Sequence, residues 1–317
     1  MRGHLALLDS ASLYFRAYFA TVRSLPDAMT APDGTPVNAV RGFADMIARI
    51  LTERKPARLV ACLDADWRPA FRVKALPSYK AHRVADPKNN IEEVPDTLTP
   101  QVPIILDLLD AVGLATAEAA GYEADDVIGT LAHREATDAV EVISGDRDLF
   151  QVVRDEPTPV AIVYVGRGWA KAEVLGPHEL AARYGLPPEN AGSAYVDMAL
   201  LRGDPSDGLP GVAGVGEKTA AKLITRFGSL DGLLAAAAAD DKLVPLRVKS
   251  ALRDAAKYVD AAPLVVRVAL DAAVVMDRPD AVPAEPRDLD RVLALREKWD
   301  LGASVDRLLA ALPAAHA

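Results

Sequence analysis

Three short apolar runs in the first half of this chain each lead into an aspartate. Leu5-Ala6-Leu7-Leu8 runs into Asp9, Leu59-Val60-Ala61-Cys62-Leu63 into Asp64, and Val140-Glu141-Val142-Ile143, through Ser144-Gly145, into Asp146. Segments with helical apolar spacing lie between them: Ala39 to Thr52, closed by Lys55-Pro56; Thr99 to Val112, stopped by Gly113; and Ala124 to Arg134. Val160 to Val165 continues the strand series, and Gly166-Arg167-Gly168 reads as a hairpin turn. This alternation predicts an α/β fold, a mostly parallel twisted sheet flanked by helices. Such sheets place their functional crevice outside the carboxyl ends of the strands. Aspartates after three strand ends would therefore meet at one edge.

The 317 residues, half of them hydrophobic, are enough for a large core and two lobes. No uncharged apolar run reaches the roughly eighteen residues that a membrane span needs. Asp9 and Arg16 interrupt the opening segment, which reads as a buried strand and helix rather than a signal peptide. The single cysteine, Cys62, excludes a disulfide scaffold or a cysteine zinc cluster within one chain and fits a reducing, cytoplasmic setting. The net charge of −9 argues against a general nucleic-acid coat, but the charge is unevenly spread. Arg68, Arg72, Lys74, Lys80, His82, Arg83 and Lys88 form a basic stripe opposed only by Asp86. Residues 68–97, punctuated by Pro69, Pro77, Pro87 and Pro95, read as a short helix followed by a partly ordered excursion, or as a solvated loop; charge alone does not separate the two. From Pro177 onward the pattern is helical, which divides the chain into an α/β unit, 1–176, and a helical unit, 177–317.

Acids recur in five places: Asp9; Asp64; Glu123, Asp125 and Asp126; Asp146 and Asp148; Asp204 and Asp207. Taken singly, the third group reads equally well as a helix N-cap, and Asp146-Arg147-Asp148 as a turn. Together, nine carboxylates on one edge would repel each other without counter-ions. Oxygen ligands with no His or Cys point to two or more Mg²⁺ or Mn²⁺ ions. Such a pair about 3.5–4 Å apart suits phosphodiester hydrolysis. No other nucleophile system competes, for the chain has no GxSxG elbow, Walker loop or post-strand GxGxxG. Directly after Asp204 and Asp207, Gly214-Val215-Gly216 opens a helix with Lys218, Thr219 and Lys222. A glycine turn feeding a helix N-terminus offers backbone N–H groups and a positive dipole end to phosphate. Metal chemistry on nucleic acid follows from that juxtaposition.

In order along the chain, LLDS, Phe15-Arg16-Ala17-Tyr18-Phe19, LDAD, Ser78-Tyr79-Lys80-Ala81-His82-Arg83, GYEADD, SGDRDLFQ and GDPSDGLPGVAGVGEKTA resemble the flap endonuclease/5′→3′ exonuclease family over roughly residues 4–260. The resemblance implies a PIN-like 5′-nuclease fold with a helical arch at 68–97 and a helix-hairpin-helix element at 203–230. It implies a first metal site of Asp9, Asp64, Glu123 and Asp125, supported by Asp126 directly or through water. Asp146 and Asp148 would lie between the sites or on the second, which Asp204 and Asp207 complete. Lys80 and Arg83 would contact the scissile phosphate, and Phe15 would stack on a base; an apolar helix face explains Phe15 equally well. Arg72, Gly214, Gly216, Lys218, Thr219 and Lys222 would hold DNA, with a K⁺ ion at the hairpin loop. The implied substrate is branched, flapped or nicked duplex DNA with a 5′ end, RNA-primed in places, and the implied protein is a monomer active in primer removal and repair. A non-catalytic junction binder and an RNA-directed nuclease are the alternatives. Pro205 and Gly208 depart from the family pattern, which predicts a reshaped turn with its ligands retained.

Overall fold

A computed structural model describes residues 3–22, 29–86, 88 and 91–313. The chain begins with β1 (His4–Asp9), α1 (Ser10–Val22), α2 (Asn38–Arg49) and β2 (Arg58–Cys62). Next come α3 (Ala70–Ala75), a hairpin of β3 (Val84–Asp86) and β4 (Ile91–Glu92), α4 (Gln101–Val112), β5 (Ala115–Glu118), α5 (Ala124–Arg134) and β6 (Ala139–Ser144). β7 (Val160–Tyr164) and β8 (Glu173–Leu175) lead into α6 (Pro177–Tyr184), α7 (Ala191–Arg202), α8 (Glu217–Phe227), α9 (Leu230–Ala238), α10 (Leu246–Asp254) and α11 (Ala256–Val266). β9 (Val275–Met276), α12 (Leu289–Lys298) and α13 (Gly302–Ala311) close the chain.

Seven strands form one sheet in the order β8-β7-β6-β1-β2-β5-β9. The five inner strands run parallel, and β8 and β9 are antiparallel edges. Side chains alternate between the faces of a strand. Leu5 and Leu7 accordingly join one core, with Val127 and Ile128 of α5 and much of the helical unit, whereas Ala6 and Leu8 join another with Phe43, Ile105, Val292 and Val305. A sheet covered on both faces needs continuous apolar runs, which is why β1, β2, β6 and β7 stand out in the sequence. β5 does not, because Ala-Thr-Ala-Glu is a weak strand signal; its parallel pairing to β2 supplies the order. α4 stops where expected: Gly113 takes φ 91°, and its N–H and that of Leu114 bond to Leu109 O.

Two expectations change. The helical unit does not run to the end of the chain. β9 pairs with β5, the Leu59 N–H donates to Asp280 O at 2.8 Å, α12 packs on α4, and α13 packs on α2. The apolar stripe of the tail, Val292, Leu295, Val305 and Leu308, is buried there. Residues 177–266 are thus a helical insertion into the α/β unit. The described part of the helical arch is α3, one tight turn at Ala81–Arg83 and the β3–β4 hairpin. Proline disrupts helix interiors, and Pro69 and Pro77 leave room for only the six residues of α3.

A strap at 267–272 carries the chain from α11 back toward the sheet across α5. It is seated at Gly129, where an added Cβ would lie 2.5 Å from Val268 Cγ2 and 2.9 Å from Ala269 O. Alanine at a helix interior gains about 1 kcal/mol over glycine, but overpacking costs about 1–3 kcal/mol. Gly129→Ala is therefore expected to lower the urea midpoint, with a net loss of up to about 2 kcal/mol; a raised midpoint contradicts this seating.

Candidate metal and nucleic-acid site

The strand order reverses between β1 and β6, since β2 and β5 lie on one side of β1 and β6 and β7 on the other. This switch point is where open α/β sheets form a crevice. Asp9 ends β1 and is 5% exposed. Ser144 ends β6; its hydroxyl donates to Asp9 Oδ2 at 2.5 Å and accepts the Asp146 N–H at 2.8 Å. One buried serine thus joins the first and third strand-end acids. The Ser12 N–H adds a bond to Asp9 Oδ1 at 3.2 Å. Asp64, just past β2, accepts the Ala124 N–H at 2.7 Å, which ties that strand end to the start of α5.

Glu123 caps α5, and Asp126 completes a capping box with it. The capping and cleft-facing readings of this cluster are both realised, by different residues. Glu123 and Asp125 line the cleft. Asp126 is completely buried, held by two Arg72 nitrogens at 2.7 and 2.9 Å and by the N–H groups of Glu123 and Ala269. With its oxygens so engaged, Asp126 supports the site from behind and does not face it. Arg72 changes role as well. Expected on a DNA-facing surface, it is 2% exposed and paired with Glu123 and Asp126, so it has no free face for a phosphate. The Lys80 ammonium and the Tyr79 hydroxyl also reach Glu123, the latter at 2.7 Å. Sequence reasoning gave no role to Tyr79 or Ser144. Both lie in quoted motifs, but nothing in their residue types marks them as braces for carboxylates.

The second acid group sits on two short turns. Asp148 starts the turn Asp148–Val152, and its N–H donates to Asp146 Oδ1 at 2.9 Å. Asp204 accepts the Ser206 N–H at 2.8 Å, and Asp207 Oδ1 accepts Arg83 Nη2 at 2.7 Å. The turn docks on the foot of the basic segment, where the Lys80 N–H donates to Asp207 O at 2.9 Å. Gly208 is required there. Its φ is 72°, and a Cβ would lie 2.2 Å from Ser78 O. The departure at this position is therefore what lets Asp207 approach Lys80 and Arg83.

A cleft of about 1080 Å³ collects Asp9, Asp64, Glu123, Asp125 and Asp146 with Lys80, Arg83 and Phe15. A smaller cavity beside it is lined by Glu123, Asp125, Asp148 and Asp207. Phe15 is half-buried on α1 and stacks on Tyr14 and Phe19. Burial, with Asp146 and Asp64 nearby, pushes Asp9 up to about 7 against the hydrogen bonds from Ser144 and Ser12. Burial also raises Asp125, helped by Asp9 and Asp146, and raises Asp148, helped by Asp146, Asp207 and Asp204. Lys80 shows the reverse: burial opposes its charge, but Glu123, Tyr79 and Asp207 outweigh that and hold the ammonium protonated. Among the described residues, no three His, Cys, Asp or Glu side chains are preassembled as an ion cage; Glu123 and Asp207 instead engage Arg72, Lys80 and Arg83. An all-oxygen donor set whose members resist ionising together fits hard divalent cations, which would supply the charge the acids need.

On the helical unit, Gly203 ends α7 and Gly216 caps α8. Val212 and Val215 anchor the loop between them. Gly214 sits in open space at φ 72°. Gly214, Gly216, Lys218 and Lys222 are exposed, and Thr219 is half-buried. The N-terminus of α8 and two of its lysines are therefore exposed.

Comparison with known proteins identifies the family and the fold. The family model for "5'-3' exonuclease, N-terminal resolvase-like domain" matches residues 4–185, and that for "5'-3' exonuclease, C-terminal SAM fold" matches residues 191–289. A 5'-3' exonuclease of Mycobacterium tuberculosis is 55% identical, the alignment covering 98% of both chains. One of Streptomyces coelicolor is 52% identical, covering 97% of this chain and 100% of that one. A bacteriophage T5 flap endonuclease solved with DNA and metal ions has the same fold, with a TM-score of 0.59 at 16% identity, covering 99% of this chain and 100% of that one.

The raised Asp9 gives the site a pH signature. A carboxyl whose folded value lies above its ordinary 3.8 favours the folded state below that value, and the contribution is lost as pH rises through about 7. In chelator, the melting temperature of Asp9→Asn should therefore gain on the parent protein by several degrees between pH 5 and pH 8, and Mn²⁺ at pH 8 should restore the parent. A difference that does not vary with pH contradicts the assigned burial and repulsion.

Proposed function

The chain belongs to the 5′–3′ exonuclease family, and from that premise we propose how its acidic edge performs the reaction. It is a metal-dependent nuclease that acts as a structure-specific 5′→3′ exonuclease and flap endonuclease on DNA in replication and repair. The observation that carries the assignment to residues is one cleft at the strand carboxyl ends shared by Asp9, Asp64, Glu123, Asp125 and Asp146 with Lys80 and Arg83.

In this reading Asp9, Asp64, Glu123 and Asp125 hold a first Mg²⁺ or Mn²⁺. Asp146, Asp148, Asp204 and Asp207 serve a second, Asp146 lying between the two. Held by these carboxylates, the ions would supply water activation and charge stabilisation for the leaving oxygen. The side chains of the chain do the rest. Lys80, held protonated, places a positive charge inside the cleft where the transition state gains negative charge. Arg83, fixed on Asp207 at 2.7 Å, orients the phosphate beside it. Phe15 offers a half-buried ring on which a base near the cut stacks, worth about 1–3 kcal/mol. The exposed N-terminus of α8 with Lys218, Thr219 and Lys222 holds the duplex backbone, which fixes how far from the junction the cut falls. The loop before α8 would hold a K⁺ ion, which would supply positive charge toward the duplex backbone. The β3–β4 segment and the basic residues before it receive the single-stranded 5′ end of a flap or nick, RNA-primed in places.

Among the described residues no helix is long and apolar enough to cross a membrane. Cys62 is a free, buried thiol. We read the protein as a monomer and, from its free thiol, as one of a reducing cytoplasm.

A labelled 5′ flap tests the reading. Cleavage should require Mg²⁺ or Mn²⁺ and stop in EDTA. Asp125→Asn and Asp148→Asn should abolish cutting while flap binding in EDTA persists; lost binding there contradicts their assignment, and binding without any cutting by the parent protein supports a junction binder instead. Lys80→Ala should slow the single-turnover rate about 10²–10³-fold with a smaller change in duplex affinity. An unchanged rate removes Lys80 from the chemistry.

A further inference from the structure

Glu123 receives three donors, and they divide between its oxygens. Arg72 Nη1 and the Tyr79 hydroxyl, at 2.7 Å, meet Oε2, while Lys80 Nζ meets Oε1. The Tyr79 hydroxyl lies farther from Oε1, at 3.1 Å. Arg72 and Tyr79 are 2% and 4% exposed, and the guanidinium lies over the Phe71 and Tyr79 rings at 5.3 and 5.9 Å. Its fork also grips both oxygens of Asp126. Asp126 Oδ1 in turn accepts the Ala269 N–H at 2.8 Å. Arg72 therefore joins α3, the first turn of α5 and the strap from the helical unit in one buried unit. Glu123 Oε1 is the oxygen without an arginine partner, and Lys80 meets it.

We propose that Arg72, seconded by Tyr79, is a positioning residue that locks Oε2 of Glu123 and so presents Oε1 to a divalent ion, an inference that rests on the metal-dependent reading above. Groups that orient a ligand carboxylate commonly contribute 10- to 100-fold to metal affinity. Lysine cannot substitute, because one ammonium cannot span Glu123 and Asp126 as a guanidinium fork does. The opposite outcome is physically distinct. If Arg72 only neutralised charge, its loss would leave Glu123 more negative and ion binding tighter.

Mn²⁺ binding to the metal-free full chain, read by titration calorimetry or by the free-Mn²⁺ electron spin resonance signal, separates these, with thermal unfolding as the control for folding. Arg72→Lys should stay folded and bind Mn²⁺ about 10–100-fold more weakly, with cleavage recovering at high Mn²⁺. Tyr79→Phe, which removes one hydroxyl and no charge, should weaken Mn²⁺ several-fold at near-parental melting temperature, and it decides the matter if Arg72→Lys is unfolded. Unchanged or tighter Mn²⁺ binding in the folded variant overturns the inference and leaves Arg72 a structural brace. Parent protein that binds no Mn²⁺ overturns the nuclease site itself, a distinguishable failure.

Discussion

Mutual repulsion among carboxylates organises this molecule. The β1–β6 switch point brings Asp9 beside Asp146, and the capped start of α5 adds Glu123 and Asp125. Each charge there raises the cost of the next, and burial multiplies that cost. The surrounding structure answers with a fixed set of counter-charges: Arg72 behind the site, Lys80 within it and Arg83 at its rim. Such an edge is unfavourable for folding alone, and strain of this kind persists where it serves a function.

The three cations are not equivalent. Arg72 is sealed in and bound to two acids, so its charge is part of the scaffold. Lys80 keeps 15% of its side chain exposed and Arg83 keeps 34%, so both reach the cleft. Lys80 is also held in a left-handed backbone conformation, φ 48°, with its N–H fixed to the turn bearing Asp207. The basic segment is thereby registered against the second acid group before any substrate arrives. The strap 267–272 provides a mechanical link on the other side. It leaves the helical unit, where Arg267 pairs with Asp197 on α7 at 2.8 Å, and it bonds to Asp126, Thr130 and Gln151 beneath the acids. The helical unit and the acidic edge thus share one network.

Much of this was legible in the residues. Apolar runs ending in Asp9, Asp64 and Asp146 located the parallel strands and the edge where function lies, because a sheet covered on both faces cannot disguise its strands. Gly113 and the GYEADD start of α5 fixed helix ends through backbone chemistry that one residue type dictates. Burial was harder to read. Arg72 stands in a basic stripe, and nothing local distinguishes a guanidinium facing water from one enclosed by α5 and the strap, whose residues lie fifty to two hundred positions away. The same non-locality hid Asp126 behind its neighbours Glu123 and Asp125. The return of the tail to α2 and α4 was also hidden, since a helical apolar stripe does not name the surface that covers it. The short edge strands β8 and β9, of three and two residues, are held by pairing with strands distant in sequence.

The most direct test of the central claim is anomalous scattering from crystals grown with Mn²⁺. The account predicts at least two manganese peaks in the acidic cleft, one among Asp9, Asp64, Glu123 and Asp125 and another toward Asp148, Asp204 and Asp207. Lys80 should be displaced from Glu123, and Arg72 should still be bound to it. A cleft without manganese at saturating concentration, or ions held only at unrelated surface acids, would contradict it.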